Sequence, residues 1–422
     1  MTEDFLQFIW KNKLFSLENT VAETGEKIQI ISVGEQNLDS GPDFFNAKIK
    51  IDDTIWAGNV EVHVNSSDWN LHKHSQDKAY GNVVLHVVYN YDKEILQFNN
   101  EKLTTFKLKF DDIFYEKYDE FKNDKSSIHC RDDFKKVDSF ILENWITRLV
   151  VERLERKTAD INLLLEKSKN NWEEIFYQVI GRSFGFKINS FPFEQLTSSI
   201  PINILAKHKN NLFQIEALLF GQAGFLDEEI LDEYYFKLKK EYLFLKSKYK
   251  LTPIQKHLWR FMRTRPANFP TIRIAQFAKL IFQSSKILSK IIETNTTDEL
   301  KTFFDVDTSD YWKTHFNFGK ESYAKDKAIG ESSVNSIIIN TIVPFMFIYG
   351  KHKDDESIQQ RALSILTEIL PEKNAIITEW KQSGAKVKNA FYSQAYIQLS
   401  NEYCRFNKCL NCQIGNSIIR NV

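Results

Sequence analysis

The segment Gly58-Asn-Val-Glu-Val-His-Val-Asn65 alternates polar and apolar side chains, which predicts a β-strand with one buried face. Successive strand side chains point to opposite faces, so the polar ones share a face; they are Asn59, Glu61, His63 and Asn65. The opposite face is apolar and consists of Val60, Val62 and Val64. A glutamate and a histidine two residues apart, backed by an apolar face, indicate a metal-dependent active site resting on a buried sheet.

The segments on either side of this strand predict a mixed sheet. Strands are expected at 28–33, 44–51, 54–64 and 83–89, and a further one at 103–110. Asp52-Asp53 predicts a tight hairpin between the second and third strands. The run 83–88 is almost continuously apolar, as in a central strand covered on both faces. A helix is expected at 3–17, and a short helical or irregular connection at 68–80.

The pattern changes after residue 136. Apolar residues then recur with helical spacing, with breaks at prolines and glycines. A chain of 422 residues is also long for one core. The sequence therefore predicts an α/β domain at 1–116, with a mixed sheet flanked by helices, then a polar linker at 117–136 and a large all-α domain at 137–422.

Composition places the chain among globular proteins, with 42% hydrophobic and 14% aromatic residues. The segment Met1-Thr-Glu-Asp-Phe5 is acidic where a secretory signal would be basic. The most apolar later run, 337–349, carries Asn340 and Pro344 and is too short to span a bilayer. We therefore expect a cytoplasmic protein without membrane contact.

Charge is unevenly distributed along the chain, although the net charge is zero. Residues 1–70 carry five Lys or Arg against twelve Asp or Glu, a net charge of −7. Residues 237–290 carry fourteen Lys or Arg against one Glu, a net charge of +13. This basic stretch favours binding to nucleic acid, with DNA as the expected partner. A lysine-rich solvated helix face is the alternative.

Four arginines surround a proline-punctuated loop within the basic stretch: Arg260, Arg263, Arg265 and Arg273. The loop leads into a predicted helix at 274–280, so these side chains are placed to bind phosphates near a helix N-terminus. Ordinary loop arginines would give the same pattern.

The acidic region contains residues suited to phosphodiester cleavage, which requires a cation that neutralises developing charge and lowers the pKa of a bound water. Asp43 and Glu61 are the predicted ligands, since carboxylate oxygens from adjacent strands suit Mg²⁺ or Mn²⁺. His63 is expected to position or deprotonate the water. A turn aspartate and an exposed strand glutamate are the structural alternative. The secondary candidates are Asp68, His72, His74 and Asp77.

His72 and His74 raise a rival interpretation, a zinc or other transition-metal site built with His63. Residues two apart diverge on a helix, so the pair is expected to bind one ion only if the segment is extended. His86, alone in an apolar strand, is interpreted as a core histidine.

The cysteines form a second constellation. Cys404-x4-Cys409-x2-Cys412 lies near the C-terminus, and Cys130 is the remaining thiol. Four thiols in a cytoplasmic chain predict a structural metal site, either zinc or a [4Fe–4S] cluster, since both accept four thiolates. Spacing does not separate the two, and four unrelated buried thiols are the alternative.

The order of the N-terminal elements resembles the PD-(D/E)XK nuclease superfamily, which has the restriction-endonuclease-like fold. A helix, a strand, a strand beginning at Pro42-Asp43, a strand with Glu61-Val-His63, a helix and an apolar strand follow one another over about residues 1–110. The resemblance implies that Asp43 and Glu61 hold a divalent cation. His63 occupies a position where that superfamily usually has lysine, whose fixed positive charge a neutral imidazole lacks.

Nearly the whole chain also resembles an uncharacterised bacterial family, domain of unknown function 2851. The matching features are Gly41-Pro-Asp-Phe44, Gly58-Asn-Val-Glu-Val-His63, Asp68-Trp69, the 221–226 turn, the 263–273 loop and the terminal cysteines. That resemblance implies no activity. The residues themselves predict a divalent-metal-dependent nuclease. A non-catalytic nucleic-acid-binding protein on a degenerate nuclease fold and a metal-dependent hydrolase of a small substrate are the alternatives.

Overall fold

The computed structural model describes residues 1–16, 20–97, 99–283, 286–294 and 296–422. The chain divides into two compact units. The first unit comprises Met1–Trp145, Glu379–Ala385 and Leu399–Val422. The second comprises Ile146–Thr378 and Lys386–Gln398.

The first unit is built on a mixed six-stranded sheet. Its strands are β1 Ile28–Ser32, β2 Glu35–Gln36, β3 Phe44–Ile51, β4 Thr54–Asn65, β5 Val83–Asn90 and β6 Thr105–Lys107. The order across the sheet is β1-β3-β4-β5-β6, with β2 paired to β3. β1, β3 and β4 are antiparallel neighbours, whereas β4, β5 and β6 run parallel. The predicted mixed sheet is confirmed, and β5 lies inside it as its apolar run predicts.

The predicted hairpin joins β3 to β4. Ile51 pairs with Thr54, so Asp52 and Asp53 form a two-residue connection. Asp52 has φ 51°, a left-handed conformation that aspartate visits more readily than most residues. Its Oδ1 accepts a hydrogen bond from the amide of Lys27 at 2.9 Å, which ties the turn to the start of the neighbouring strand β1.

Helix α1, Glu3–Lys11, packs against β4. Thr2 caps the helix by accepting a hydrogen bond from the amide of Phe5. Trp10 is fully buried and its indole donates to the carbonyl oxygen of Val33 at 3.1 Å, which fixes the helix on the sheet. The helix is shorter than the predicted 3–17 element, and residue 17 lies outside the described residues.

Short helical turns connect β4 to β5, as predicted for 68–80. Helix α2, Asp68–Leu71, is followed by the 3₁₀ turns His74–Gln76 and Lys78–Tyr80. A connection of this kind is required because β4 and β5 are parallel. Trp69 is buried together with Val83, Ile95 and Leu103, so a small apolar core holds the connection in place.

Helices dominate the rest of the chain, which confirms the predicted large helical region. In chain order they are α3 Asp112–Asn123, α4 Ser139–Lys167, α5 Trp172–Phe184, α6 Ser190–Ser199, α7 Ile202–Ala206, α8 Leu212–Gln222, α9 Glu233–Tyr249, α10 Pro270–Gln283, α11 Ile287–Glu293, α12 Thr297–Thr302, α13 Asp310–Lys313, α14 Glu331–Ile337, α15 Val343–His352, α16 Glu356–Glu368, α17 Ala375–Gln382, α18 Ala390–Glu402 and α19 Gln413–Arg420. A π-helical turn, Ile338–Ile342, joins α14 to α15. A small hairpin, β7 His315–Asn317 with β8 Lys320–Glu321, precedes α14.

One helical run, Glu331–His352, is long and apolar enough to cross a membrane by length and composition. It is longer than the apolar run 337–349 because the helix continues on both sides. Of its apolar window, 72% is buried inside the protein. Core helices of soluble proteins have the same properties, so this run alone is weak evidence about a membrane.

The first unit extends beyond the predicted 1–116 domain. Helix α3 covers the start of the predicted linker 117–136, and α19 packs against α3. The C-terminal segment Leu399–Val422 therefore belongs to the sheet-bearing unit, although the sequence assigns it to the helical domain 137–422. The physical reason is that helical spacing identifies an apolar face without identifying the core that the face joins.

Candidate metal centre

Asp43, just before β3, lies beside Glu61 of the neighbouring strand β4. Asp43 immediately precedes β3, and its amide donates to Glu61 Oε2 at 3.0 Å. The amide of Val62 donates to Asp43 Oδ2 at 2.9 Å, and Gln7 of α1 donates to Asp43 Oδ1 at 2.9 Å. Both oxygens of Asp43 therefore accept hydrogen bonds from the protein, and Asp43 holds Glu61 in place through its backbone.

Two histidines contact the other oxygen of Glu61, and a third histidine lies next to one of them. Glu61 Oε1 lies 3.2 Å from His74 Nε2 and 3.5 Å from His63 Nε2. His63 Nε2 lies 3.1 Å from His72 Nδ1, and the ligand atoms of the three histidines are all within 4.8 Å of one another. Two ligands of one tetrahedral ion with bonds of about 2.0–2.1 Å are about 3.3 Å apart. The three histidines are thus spaced as ligands of a single ion, and Glu61 lies beside two of them.

A left-handed residue brings His72 and His74 together. His72 ends α2 and His74 begins the next 3₁₀ turn, with Lys73 between them at φ 61°. The two imidazole rings are 5.4 Å apart. The expectation that this pair converges only in an extended segment is therefore wrong. The reason is that Lys73 interrupts the helical geometry, so the two side chains no longer diverge as they would on a continuous helix.

The innermost histidines are neutral. Burial, with smaller contributions from the neighbouring histidines, lowers the pKa of His63 to about 2. Burial and His74 lower the pKa of His86 to about 3. Neutral imidazole is the form that ligates metal ions. Burial and the Glu61 carboxylate raise the pKa of Asp43 to about 7, because two adjacent carboxylates resist ionising together.

His86 is fully buried, as expected of a core histidine, and it also contacts the histidine cluster. It pairs with Glu61 across β4 and β5, and its Nε2 lies 2.8 Å from His63 Nδ1. A hydrogen bond of this kind orients a metal-ligating imidazole and fixes which ring nitrogen is free. Tyr80 stacks on His74 with ring centroids 3.8 Å apart and supports the cluster from the other side. Only knowledge of the strand register could have identified His86.

The two remaining carboxylate candidates serve the local backbone. Asp68 Oδ2 accepts a hydrogen bond from the amide of Asn65 at 2.8 Å. Asp77 is exposed, and its Oδ1 accepts a hydrogen bond from the amide of Ala79 at 2.9 Å. Both side chains thus stabilise the connection that presents His72 and His74.

The four arginines of the basic loop lie in the second unit and divide into two kinds. Arg273 is only 4% exposed, and its guanidinium donates to Gln276 at 2.9 Å and to Asn268 at 2.5 Å. Arg273 therefore has a packing role in α10, and a phosphate cannot reach it without local rearrangement. The other three are exposed: Arg260, Arg263 and Arg265. Residues 284 and 285 of the basic stretch 237–290 lie outside the described residues.

The four cysteines all lie in the first unit. Cys130 follows α3, and the other three lie between α18 and α19. All four are free thiols, and three of them are buried: Cys130, Cys409 and Cys412. They form a second group of candidate metal ligands in the sheet-bearing unit.

A mixed sheet with a histidine–glutamate cluster on one face, combined with a large helical unit, defines an α/β-plus-α protein with a candidate metal centre. No match to the chain was found among curated proteins or among solved structures. The chain belongs to the family described as protein of unknown function, DUF2851, whose model matches residues 3–375. The predicted family is confirmed, whereas the resemblance to PD-(D/E)XK nucleases gains no support from these comparisons.

Proposed function

We propose that this protein is a metal-dependent hydrolase that cleaves phosphodiester bonds in nucleic acid, with DNA as the expected substrate. The observation that carries the proposal is the ligand-like spacing of three histidines, with a glutamate in contact with two of them. They are Glu61, His63, His72 and His74. His72 is exposed, whereas Glu61, His63 and His74 are buried, so a substrate would approach from the side of His72.

The donor set favours a transition metal. Imidazole nitrogens suit zinc and iron, whereas magnesium prefers an octahedron of oxygen ligands. Of the two predicted ions, Mn²⁺ therefore fits this set better than Mg²⁺. Asp43, which the sequence predicts to be a ligand, is assigned to positioning Glu61, because its two oxygens already accept hydrogen bonds from the protein.

An ion bound here would supply a water molecule of lowered pKa and neutralise charge on the scissile phosphate. The residues of the chain prepare the site for it. His86 bonds one nitrogen of His63 and leaves the other, Nε2, facing His72 and Glu61. Asp43, with a pKa raised to about 7, is suited to hold or release a proton near neutral pH.

The choice of nucleic acid as the substrate rests on charge and on the order of elements. Arg260, Arg263 and Arg265 are exposed in a stretch that carries only one acidic residue. Such a surface favours a polyanion. The succession α1, β1, β3, β4, α2, β5 is also the order on which the resemblance to PD-(D/E)XK nucleases depends, and this resemblance favours a restriction-endonuclease-like assignment.

Cleavage assays with the full chain test the proposal. Metal-stripped protein is incubated with single- and double-stranded DNA and, separately, Mn²⁺, Zn²⁺, Fe²⁺ or Mg²⁺. We expect cleavage with a transition metal, and a loss of at least 100-fold in Glu61→Gln and His63→Ala. Asp77→Asn keeps the backbone contact outside the cluster and should retain activity. Absence of cleavage with every ion, or undiminished cleavage by Glu61→Gln, would contradict the proposal.

One feature favours a second candidate, a non-catalytic nucleic-acid-binding protein. Four protein ligands would close a tetrahedral site, as in structural zinc sites, whereas catalytic zinc sites keep one position open. This candidate predicts metal binding and salt-sensitive DNA binding without turnover, and unchanged DNA affinity in Glu61→Gln. Hydrolysis of a small phosphodiester without hydrolysis of DNA would instead identify a small-substrate hydrolase.

A further inference from the structure

Thiols from distant parts of the sequence meet in the first unit. His129, next to Cys130, bridges the two regions, since its Nε2 lies 2.9 Å from the carbonyl oxygen of Cys404. Burial raises the pKa of the Cys130 thiol, and the thiols of Cys412 and Cys409 raise it further. The same causes act on Cys404, which is affected by all three other cysteines. The segment around Cys130 and the loop that carries the other three cysteines are therefore neighbours in the first unit.

The loop that carries three of the thiols is tightly folded. Asn407 has φ 53°, and the amide of Cys412 donates to the carbonyl oxygen of Lys408 at 3.1 Å. Gly415 has no room for a side chain, because a Cβ there would lie 2.4 Å from the carbonyl oxygen of Cys409. These contacts hold three cysteines of one short loop in a fixed arrangement.

Cys412 is a buried thiol. It is the N-cap residue of α19. Burial raises the pKa of its thiol, whereas hydrogen bonds from the amides of Gly415 and Ile414 and from the side chain of Trp145 lower it. Hydrogen bonds to sulfur also surround metal-bound thiolates and tune them.

Four unrelated thiols would not require this arrangement. A free buried cysteine usually behaves as a small apolar side chain. Here all four cysteines of the chain lie in one unit, none forms a disulfide, and His129 joins the two segments that carry them. Four thiols held on neighbouring segments of one unit offer the ligand set that a structural metal ion takes.

We propose that Cys130, Cys404, Cys409 and Cys412 bind one metal centre through four thiolates, and that this centre fastens the segment Leu399–Val422 to the sheet-bearing unit. The centre is a zinc ion or a [4Fe–4S] cluster, both of which take four cysteine ligands. It uses none of the residues of the histidine cluster, so it does not rest on the proposed hydrolase activity. A link between Cys130 and the C-terminal loop closes a long stretch of chain and restricts the unfolded state.

Metal analysis of the full chain tests the proposal. Protein purified without oxygen is assayed for zinc, iron and acid-labile sulfide, beside Cys130→Ser and the control His72→Ala. We expect Cys130→Ser to lose one zinc, or four irons and four sulfides, per chain, and His72→Ala to keep them. Brown colour with broad visible absorption identifies the cluster, whereas colourless protein with zinc identifies the single ion. Equal metal content in wild type and Cys130→Ser would overturn the proposal.

A second measurement uses the His72→Ala chain, with all four cysteines intact, so it does not depend on whether Cys130→Ser folds. The thiols open to alkylation are counted by mass spectrometry before and after chelation. We expect four protected thiols with metal, four modified thiols after its removal, and faster hydrogen exchange in 399–422. Protection that is the same before and after chelation would rule out a four-thiolate centre.

Discussion

Acidification from pH 7 to pH 5 is expected to destabilise the sheet around the histidine cluster when no metal is bound. His63 and His86 have folded pKa values of about 2 and about 3, whereas an unfolded histidine titrates near about 6.5. Their contribution to stability is therefore present above that pH and is lost below it, because only the unfolded state then binds the protons. Each histidine costs about 2 kcal/mol over this interval, and the pair about 4 kcal/mol.

Asp43 opposes part of this loss. Its folded pKa of about 7 lies above the ordinary value of 3.8, so the folded state takes up a proton between pH 7 and pH 5 that the unfolded state does not. This uptake stabilises the fold by about 2 kcal/mol, which leaves a net loss of about 2 kcal/mol in the wild type. Asp43→Asn removes the gain, so its loss rises to about 4 kcal/mol. His86→Gln removes one histidine, so its net change falls close to zero.

Hydrogen exchange measures these changes locally. The opening free energies of β4 and β5 are determined by mass spectrometry in the presence of a chelator, with intrinsic exchange rates corrected at each pH. His208→Gln, in the second unit, is the matched control and should follow the wild type. An opening free energy in Asp43→Asn that is equal at pH 7 and pH 5 would refute the reasoning. So would NMR signals of His63 and His86 that titrate near pH 6.5.

Three further predictions concern packing and backbone geometry. Gly58→Ala is expected to destabilise the first unit by roughly 1–3 kcal/mol in urea unfolding, because the new Cβ would lie 2.4 Å from Val84 Cγ1. The control Gly330→Ala should leave stability unchanged, because open space surrounds that position. Lys73→Val is expected to weaken zinc binding at least tenfold in calorimetric titrations, because a β-branched residue disfavours φ 61°. Lys73→Gly should preserve zinc binding, because glycine adopts this conformation freely. Equal zinc affinities of the two variants would contradict the prediction. Arg273→Lys is expected to lower the melting temperature and leave DNA affinity unchanged, because lysine cannot make both hydrogen bonds of the buried guanidinium. Weaker DNA binding at unchanged stability would instead indicate that Arg273 contacts DNA.

The strands of the first unit could be predicted because their side chains alternate about one buried face. β3 has the predicted bounds, and β4 and β5 each extend one residue further than predicted. The same alternation places Glu61 and His63 on one face of β4. The edge strand β6 is shorter than the predicted 103–110 element, because only three residues of β5 pair with it.

The rest of the site depends on relations that local sequence does not encode. His86 reaches His63 through the register of two parallel strands, which the intervening connection determines. His72 and His74 converge because Lys73 is left-handed, and lysine is not a residue type that signals this conformation. One oxygen of Asp43 accepts its hydrogen bond from Gln7, which lies on a helix far away in the sequence.

The interrupted chain path of the sheet-bearing unit has a consequence for its synthesis. The segment Leu399–Val422 leaves the ribosome only after the whole stretch 146–378 has been made, which takes roughly 10–50 s at the usual rate of translation. Throughout that interval the nascent sheet lacks α19 and three of its four cysteines. A ribosome that stops before residue 399 therefore releases a polypeptide whose helical unit is nearly complete but whose sheet-bearing unit cannot be finished, which makes such products natural targets for quality control.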